Sequence, residues 1–318
     1  MPLRKVGLLR TMLTACLLLL PYPLAASGTE SVVPDSVAPA PGLPDQMATG
    51  LLVLSTISSV QVTNVSDKSF SISWLTDVPA SGHINYGVTP ALGSNQSEDP
   101  NAGPYTHHVT VGGLLPNTTY YFDVVSDGNT DDNGGAHYTA ATGPTLAIPG
   151  IDTVYGQVFQ ADGTTPAEGT IVYITLFDDD GSGSLGQAAE LSSLVDSSGY
   201  WNANLASARL TDLSAYFEYS ASADSVTLLA KGAAEGCASQ TVYTSADSPA
   251  APMTLCYLFG DLDYDGDVDV DDVMQVASRW RCKCGDACYD PRYDLDGDCD
   301  IDIVDIMKVV ANWGATCW

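Results

Sequence analysis

Twelve aspartates near the carboxyl end stand at fixed intervals in two stretches of equal length. Asp261, Asp263, Asp265, Asp267, Asp269 and Asp272 are answered, 33 residues on, by Asp294, Asp296, Asp298, Asp300, Asp302 and Asp305. Trp280 is answered by Trp313 and Cys284 by Cys317 at the same offset, so the segment is an internal repeat. A hard cation such as Ca2+ takes about six to eight oxygen ligands, and a 12-residue loop supplies them from its first, third, fifth, seventh, ninth and twelfth positions. Here the first, third, fifth and twelfth positions of each stretch carry a carboxylate. The seventh offers the backbone carbonyl of Asp267 or Asp300, and the ninth, Asp269 or Asp302, reaches the ion through water. Two Ca2+ sites are expected, at these twelve residues. A solvated acidic tail is the plain alternative for a run of Asp, but it would not need the apolar residues that follow each loop.

Those residues are the elements that must position the ligands. Val270, Val273, Val276, Ala277 and Trp280, then Ile303, Ile306, Val309, Val310 and Trp313, recur at helical spacing, and the two stripes are expected to bury together. Val268 and Ile301, eighth in their loops, are expected to pair with each other as a short β-bridge under the ions. The stretches before the loops, Pro252 to Gly260 and Tyr289 to Tyr293, do not read as entering helices. A loop followed by one helix, used twice over residues 257–318, resembles the type I dockerin. That resemblance implies a cohesin-like partner and company with polysaccharide-degrading hydrolases. Two features depart from the pattern. Cys299 replaces the glycine of the sharp turn that Gly266 supplies in the first loop. Val270-Asp271 and Ile303-Val304 stand where a polar Ser-Thr-like pair is usual in dockerins. Mutual repulsion of the carboxylates predicts that ion binding and folding are coupled. Millimolar Ca2+ at an extracellular-type site would contribute about 1–2 kcal/mol per site.

Upstream, the chain reads as a signal peptide over residues 1–26, with basic Arg4 and Lys5, an apolar run ending at Leu20, and a small-residue exit near Ala25-Ala26. A Pro/Ser/Ala-rich linker over 27–52 follows. The expected setting is secreted or extracellular, with surface association as a variant and no membrane span after signal cleavage. Seven cysteines then remain, Cys237, Cys256, Cys282, Cys284, Cys288, Cys299 and Cys317. They are disulfide candidates, and an odd number leaves at least one thiol free or intermolecular. Zinc is disfavoured, because no Cys-x-x-Cys pair or nearby His occurs.

Between the linker and the loops lie two blocks of short alternating runs punctuated by Gly, Asn, Asp and Pro, at 53–147 and 150–256. The fold class expected is therefore mainly β: two antiparallel β-sandwiches, Ig-like, followed by a small α-helical domain with duplicated calcium loops, EF-hand-like and dockerin-like. In the first block Phe70, Ile72 and Trp74 share one face, as do Tyr120, Phe122 and Val124, and the Leu115 to Val124 stretch suits a tyrosine corner. It resembles a fibronectin type III domain. With Thr76-Asp77-Val78-Pro79-Ala80 and Ile84-Asn85-Tyr86-Gly87 it is similar to the domain that precedes purple acid phosphatase catalytic domains. The second block, with turns at Ala161 to Pro166 and a hairpin at Asp196 to Trp201, resembles the transthyretin-like sandwich of carboxypeptidase regulatory domains. Asp178-Asp179-Asp180 reads as an acidic loop tip, and Lys231 is the block's only lysine.

Composition narrows the function. Eleven basic against 39 acidic residues, a net charge of −28, argue against nucleic acid and anionic membranes. His83, His107, His108 and His137 show no Cys or carboxylate at ligand spacing, and no nucleophile elbow or phosphate loop occurs, so no enzyme is expected. The function expected is a secreted, non-catalytic modular protein docking through its calcium-binding C-terminus, with an implied role in extracellular polysaccharide catabolism. The alternative is a surface or adhesive stalk whose ions serve stability alone. A carbohydrate ligand is a third reading, for which exposed planar aromatics would be the sign.

Overall fold

The alternation of β-branched and aromatic residues from Ile57 onward builds eight strands in the first block: β1 (Ile57–Thr63), β2 (Phe70–Thr76), β3 (Gly82–Gly87), β4 (Ser94–Ser97), β5 (Thr106–Val111), β6 (Thr119–Ser126), β7 (Asn129–Asp131) and β8 (Tyr138–Ala141). The computed structural model describes residues 55–286 and 288–317; the expected signal peptide and linker lie outside the described residues. One sheet runs β1-β2-β5 and the other β4-β3-β6-β7, with β8 also on β6, all antiparallel. Phe70, Ile72, Trp74, Tyr120, Phe122 and Val124 meet between them in one core. The Tyr120 hydroxyl accepts the Leu115 amide at 2.9 Å, closing the expected corner.

The second block forms β9 (Thr153–Phe159), β10 (Ile171–Phe177), β11 (Leu191–Leu194), β12 (Tyr200–Asn204), β13 (Ser225–Lys231), β14 (Cys237–Val242) and β15 (Met253–Thr254). Its sheets run β11-β10-β13-β14 and β12-β9-β15, around a core containing Val158, Ile174, Trp201 and Leu228. Two expectations are corrected here. The pairing is not wholly antiparallel, since β15 runs parallel to β9. The Asp196 turn is no hairpin: β11 pairs with β10 while β12 pairs with β9, so the turn carries the chain from one sheet to the other. The Asp196 carboxylate holds it by accepting the amides of Ser198 and Tyr200.

Ser71 and Ser73, on the face of β2 opposite Phe70, Ile72 and Trp74, are buried as well. The second sandwich covers that face of β2: Ser73 Oγ lies 2.9 Å from the Tyr173 hydroxyl, Thr63 Oγ1 lies 2.6 Å from Ser192 Oγ, and Thr106 donates to the Gly169 carbonyl. Hydrogen-bonded hydroxyls tolerate such burial. The only α-helices among the described residues are α1 (Val270–Ser278) and α2 (Ile303–Val310). Each is short and begins in a full capping box, Asp269 with Asp272 and Asp302 with Asp305.

Candidate metal centre

Both helices start inside the aspartate repeats, so the capping residues are also loop residues. In the first loop Asp261, Asp263 and Asp265 bring carboxylate oxygens within 4.8 Å of one another. Asp272, 1% exposed, closes the loop by accepting the Leu262 and Asp269 amides. In the second loop the trio is Asp294, Asp296 and Asp305. Asp305 accepts the amides of Leu295 and Asp302. The remaining candidates stand outside these trios. Asp269 and Asp302 cap the helices. Asp300 pairs with Lys283 at 3.0 Å. Asp298 accepts the Asp300 amide. Asp267 Oδ1 is buried and has no hydrogen-bond partner.

The sharp turn at the sixth position differs between the loops. Gly266 takes φ +97°, whereas Cys299 sits at φ +74°, a conformation costly for a residue with a Cβ. A disulfide from Cys299 to Cys284 holds it there. At the fourth position the roles reverse, with Tyr264 at φ +56° and Gly297 at φ +75°. The other pairs are Cys282–Cys288 and Cys256–Cys317, and among the described residues Cys237 is the free thiol.

The expected bridge between Val268 and Ile301 does not form. Ile301 exchanges backbone hydrogen bonds with Arg281 and Cys282, beyond α1, and Val268 with Gly314 and Ala315, beyond α2. Each loop is thus paired to the tail of the other repeat's helix. Val268 and Ile301 still meet in one core with Val276, Cys282, Tyr293 and Val309. The helical stripes are only half buried. Val273, Val276, Ile306 and Val309 pack inward, while Val270, Met274, Trp280, Ile303, Val304, Met307, Val310 and Trp313 are exposed.

The electrostatics of the first loop suit a cation. Burial, with the Asp272 and Asp265 carboxylates, lifts Asp261 to about 6. Burial and the carboxylates of Asp265, Asp272 and Asp261 lift Asp263 to about 7, and its Oδ1 has no partner. A divalent ion would replace the lost solvation and offset the repulsion. In the second loop burial pushes Asp294 up, but the Tyr289 hydroxyl and the amides of Cys299, Gly297 and Asp298 outweigh it, so the carboxyl lies below its ordinary range. All donors are oxygens, the set that a hard cation takes.

Sequence reasoning missed several neighbours of these loops. Tyr289 donates to Asp294 at 2.6 Å, Lys308 donates to the Leu295 carbonyl at 2.8 Å, Lys231 reaches the Asp263 carbonyl at 3.4 Å, and the Cys237 thiol lies 3.7 Å from Asp261. Lys308 follows Asp305 by three residues and was legible as a neighbour; Lys231 and Cys237 come from the second sandwich and gave no local signal. Beside the first loop opens a cavity of about 280 Å3 lined by Tyr257, Phe259, Tyr264 and Arg292 among others.

The histidines also depart from expectation, because three meet carboxylates. His107 lies 2.8 Å from Glu98, His108 2.7 Å from Asp99 and His137 2.6 Å from Asp123. His108 Nε2 is also 2.9 Å from Ser192 Oγ, the order of a hydrolytic triad. Ser192 is 7% exposed, however, and its Oγ is already engaged by Thr63 and Asn64, so this network fastens the two sandwiches. Asp178, Asp180 and Asp224 approach one another as well. Their oxygens accept loop amides, Gly181 on Asp178, Ser182 on Asp180, and Asp179 and Ser220 on Asp224.

Residues 57–142 match the family model described as the N-terminal domain of purple acid phosphatase. That match covers the first sandwich. Among solved structures the chain is similar to the sensor domain of the anti-sigma factor RsgI4 of Pseudobacteroides cellulosolvens, at 15% identity and a TM-score of 0.24, over 30% of this chain and 99% of that one. It is also similar to a type II cohesin-X-dockerin complex from Acetivibrio cellulolyticus, at 19% identity and a TM-score of 0.20, over 52% of this chain and 97% of that one. A third likeness is to the FN1–FN3 domains of chicken CNTN1, at 8% identity and a TM-score of 0.18, over 63% and 66%. Among the described residues no helix is long and apolar enough to cross a membrane.

Proposed function

We propose that this is a secreted, non-catalytic modular protein whose residues 257–318 form a dockerin-like module that binds two Ca2+ ions and docks onto a cohesin-like partner. The domains we assign are a signal peptide (1–26), a linker (27–52), a fibronectin type III-like sandwich (53–147), a transthyretin-like sandwich (150–256) and this module. The observation that carries the reading is the pair of all-oxygen carboxylate clusters, Asp261/Asp263/Asp265 and Asp294/Asp296/Asp305, each at the mouth of a capped helix. The ion, when bound, would supply the counter-charge that those carboxylates lack. Asp272 and Asp305 would close the loops around it. The apolar residues that α1 and α2 leave exposed supply a surface for a partner, since helices this small gain little by presenting Met307 and Trp313 to water. By resemblance to dockerins, the role is attachment within an extracellular polysaccharide-degrading assembly.

The test uses the full chain, because the Cys256–Cys317 disulfide joins the module to the segment before it. Calcium titration by far-UV circular dichroism and calorimetry should show two bound ions and a gain of helix. Capture on immobilised cohesins should require calcium and be abolished by EDTA. Two bound ions without capture favour the stalk reading, in which the ions serve stability alone. A carbohydrate ligand has less support: Trp74 and Trp201 are buried, and the exposed rings of Tyr257 and Phe259 line the cavity at the first loop without forming a planar row.

A further inference from the structure

The two loops are alike in sequence but not in where their nearest ammonium group comes from. In the second loop Lys308, on α2, donates to the carbonyl of Leu295, the loop's second residue, at 2.8 Å. Thirty-three residues earlier, the matching position on α1 is Gln275, which carries no charge and accepts from the Tyr293 hydroxyl instead. The first loop therefore has no ammonium from its own helix. Lys231 stands in that role from outside the repeat. It ends β13 in the second sandwich, is 7% exposed, and directs Nζ to the carbonyl of Asp263, the loop's third residue, at 3.4 Å. Among the described residues no carboxylate lies within ion-pair distance of Nζ, so the buried charge is balanced by the more distant acidic groups around it, those of the loop and Glu190.

We propose that Lys231 is a resident counter-cation for the first loop: it holds the crowded carboxylates together when no ion is bound, and it lowers the affinity of that loop for calcium once one arrives. A buried ammonium is costly unless opposite charge surrounds it, and four loop carboxylates are costly without a cation. Each thus offsets the other in the ion-free chain. A bound divalent ion weakens that attraction, because four carboxylates and one divalent ion leave a charge of only −2, and Lys231 and the ion repel each other across a poorly solvated gap. The second sandwich accordingly sets the calcium response of the first loop, while α2 sets that of the second through Lys308.

This rests on the calcium reading, and the test separates the two. Calcium binding is measured by calorimetry on the full chain in D305A, which leaves the first loop alone, and in D263A, which leaves the second. K231M in the first background should tighten binding on the order of tenfold and lower the melting temperature in EDTA; K231R should behave as Lys231 does. In the second background K231M should change nothing, and K308M should tighten that loop instead. If neither background takes up calcium, the calcium reading falls and this proposal with it. If both do but K231M leaves the first loop's affinity unchanged or weakens it, only this proposal falls. A K231M chain that loses helix in EDTA and regains it with calcium is the expected behaviour in its strongest form. One that stays unfolded in saturating calcium gives Lys231 a purely structural role and overturns the proposal.

Discussion

Asp261 and Asp263 are the residues at which the chain's excess of negative charge becomes a local problem. Their raised values, about 6 and about 7 against 3.8 for an ordinary Asp, mean that the folded ion-free loop holds its protons more tightly than the unfolded chain. The contribution of these groups is then fully present below the ordinary Asp range and is lost as pH rises through the folded values. In EDTA the C-terminal segment should therefore become less stable between about pH 4 and pH 7. Calcium reverses the trend, because the ion takes the deprotonated carboxylates, and its affinity should climb over the same range. Thermal melts followed by circular dichroism at several pH values, with and without calcium, check both; a melting temperature in EDTA that rises across that window contradicts the argument. Ligand spacing at this scale was legible because a 12-residue loop is local in sequence. The pairs His107–Glu98, His108–Asp99 and His137–Asp123 were not, since strands and turns bring together residues that spacing does not relate.

The helices begin where a single side chain does two things. Asp302 accepts the Val304 amide as an N-cap while its own amide is held by Asp305. Removing the cap by D302A should destabilise the C-terminal segment by about 1 kcal/mol in EDTA. A larger loss in calcium would reveal that the ninth position also contributes to the ion site, and equal losses would assign it to capping alone; urea melts under both conditions make the comparison. Element type and order were readable from periodicity: β2 and β6 lie where Phe70-Ile72-Trp74 and Tyr120-Phe122-Val124 alternate, and both helices follow their loops. What periodicity could not supply was the partner of each face. The face of β2 that carries Ser71 and Ser73 is covered by the second sandwich, Val270 and Ile303 read as buried although they face water, and the Asp196 turn reads as a hairpin although its strands part company. Each error concerns what lies opposite an element, a long-range matter that a local pattern does not carry.

At the scale of the whole molecule, the C-terminal repeat is fastened to the sandwiches by contacts of quite different strength. Arg292, held by Asp290 at 2.9 Å and stacked over Tyr293, reaches Asp77 of the first sandwich only at 3.9 Å. Both side chains are nearly buried, so the attraction of this loose pair is set against the cost of desolvating the two charges. The Cys256–Cys317 disulfide is different, because it closes a loop of 61 residues that contains both calcium loops and both helices. In the chain-entropy account a loop of that length stabilises by about 4 kcal/mol. The variant that tests this must remove both sulfurs. Cys237 lies opposite Cys256 in a backbone-paired bridge, so C317A alone would leave a thiol facing another thiol and invite a new crosslink. C256A/C317A should therefore unfold in two steps in EDTA, with the C-terminal helices melting well before the sandwiches and calcium drawing the first step back toward the second. A single transition at the wild-type midpoint would mean that packing around Lys231 and Cys237 already fixes the repeat in place, and that the disulfide is redundant to it.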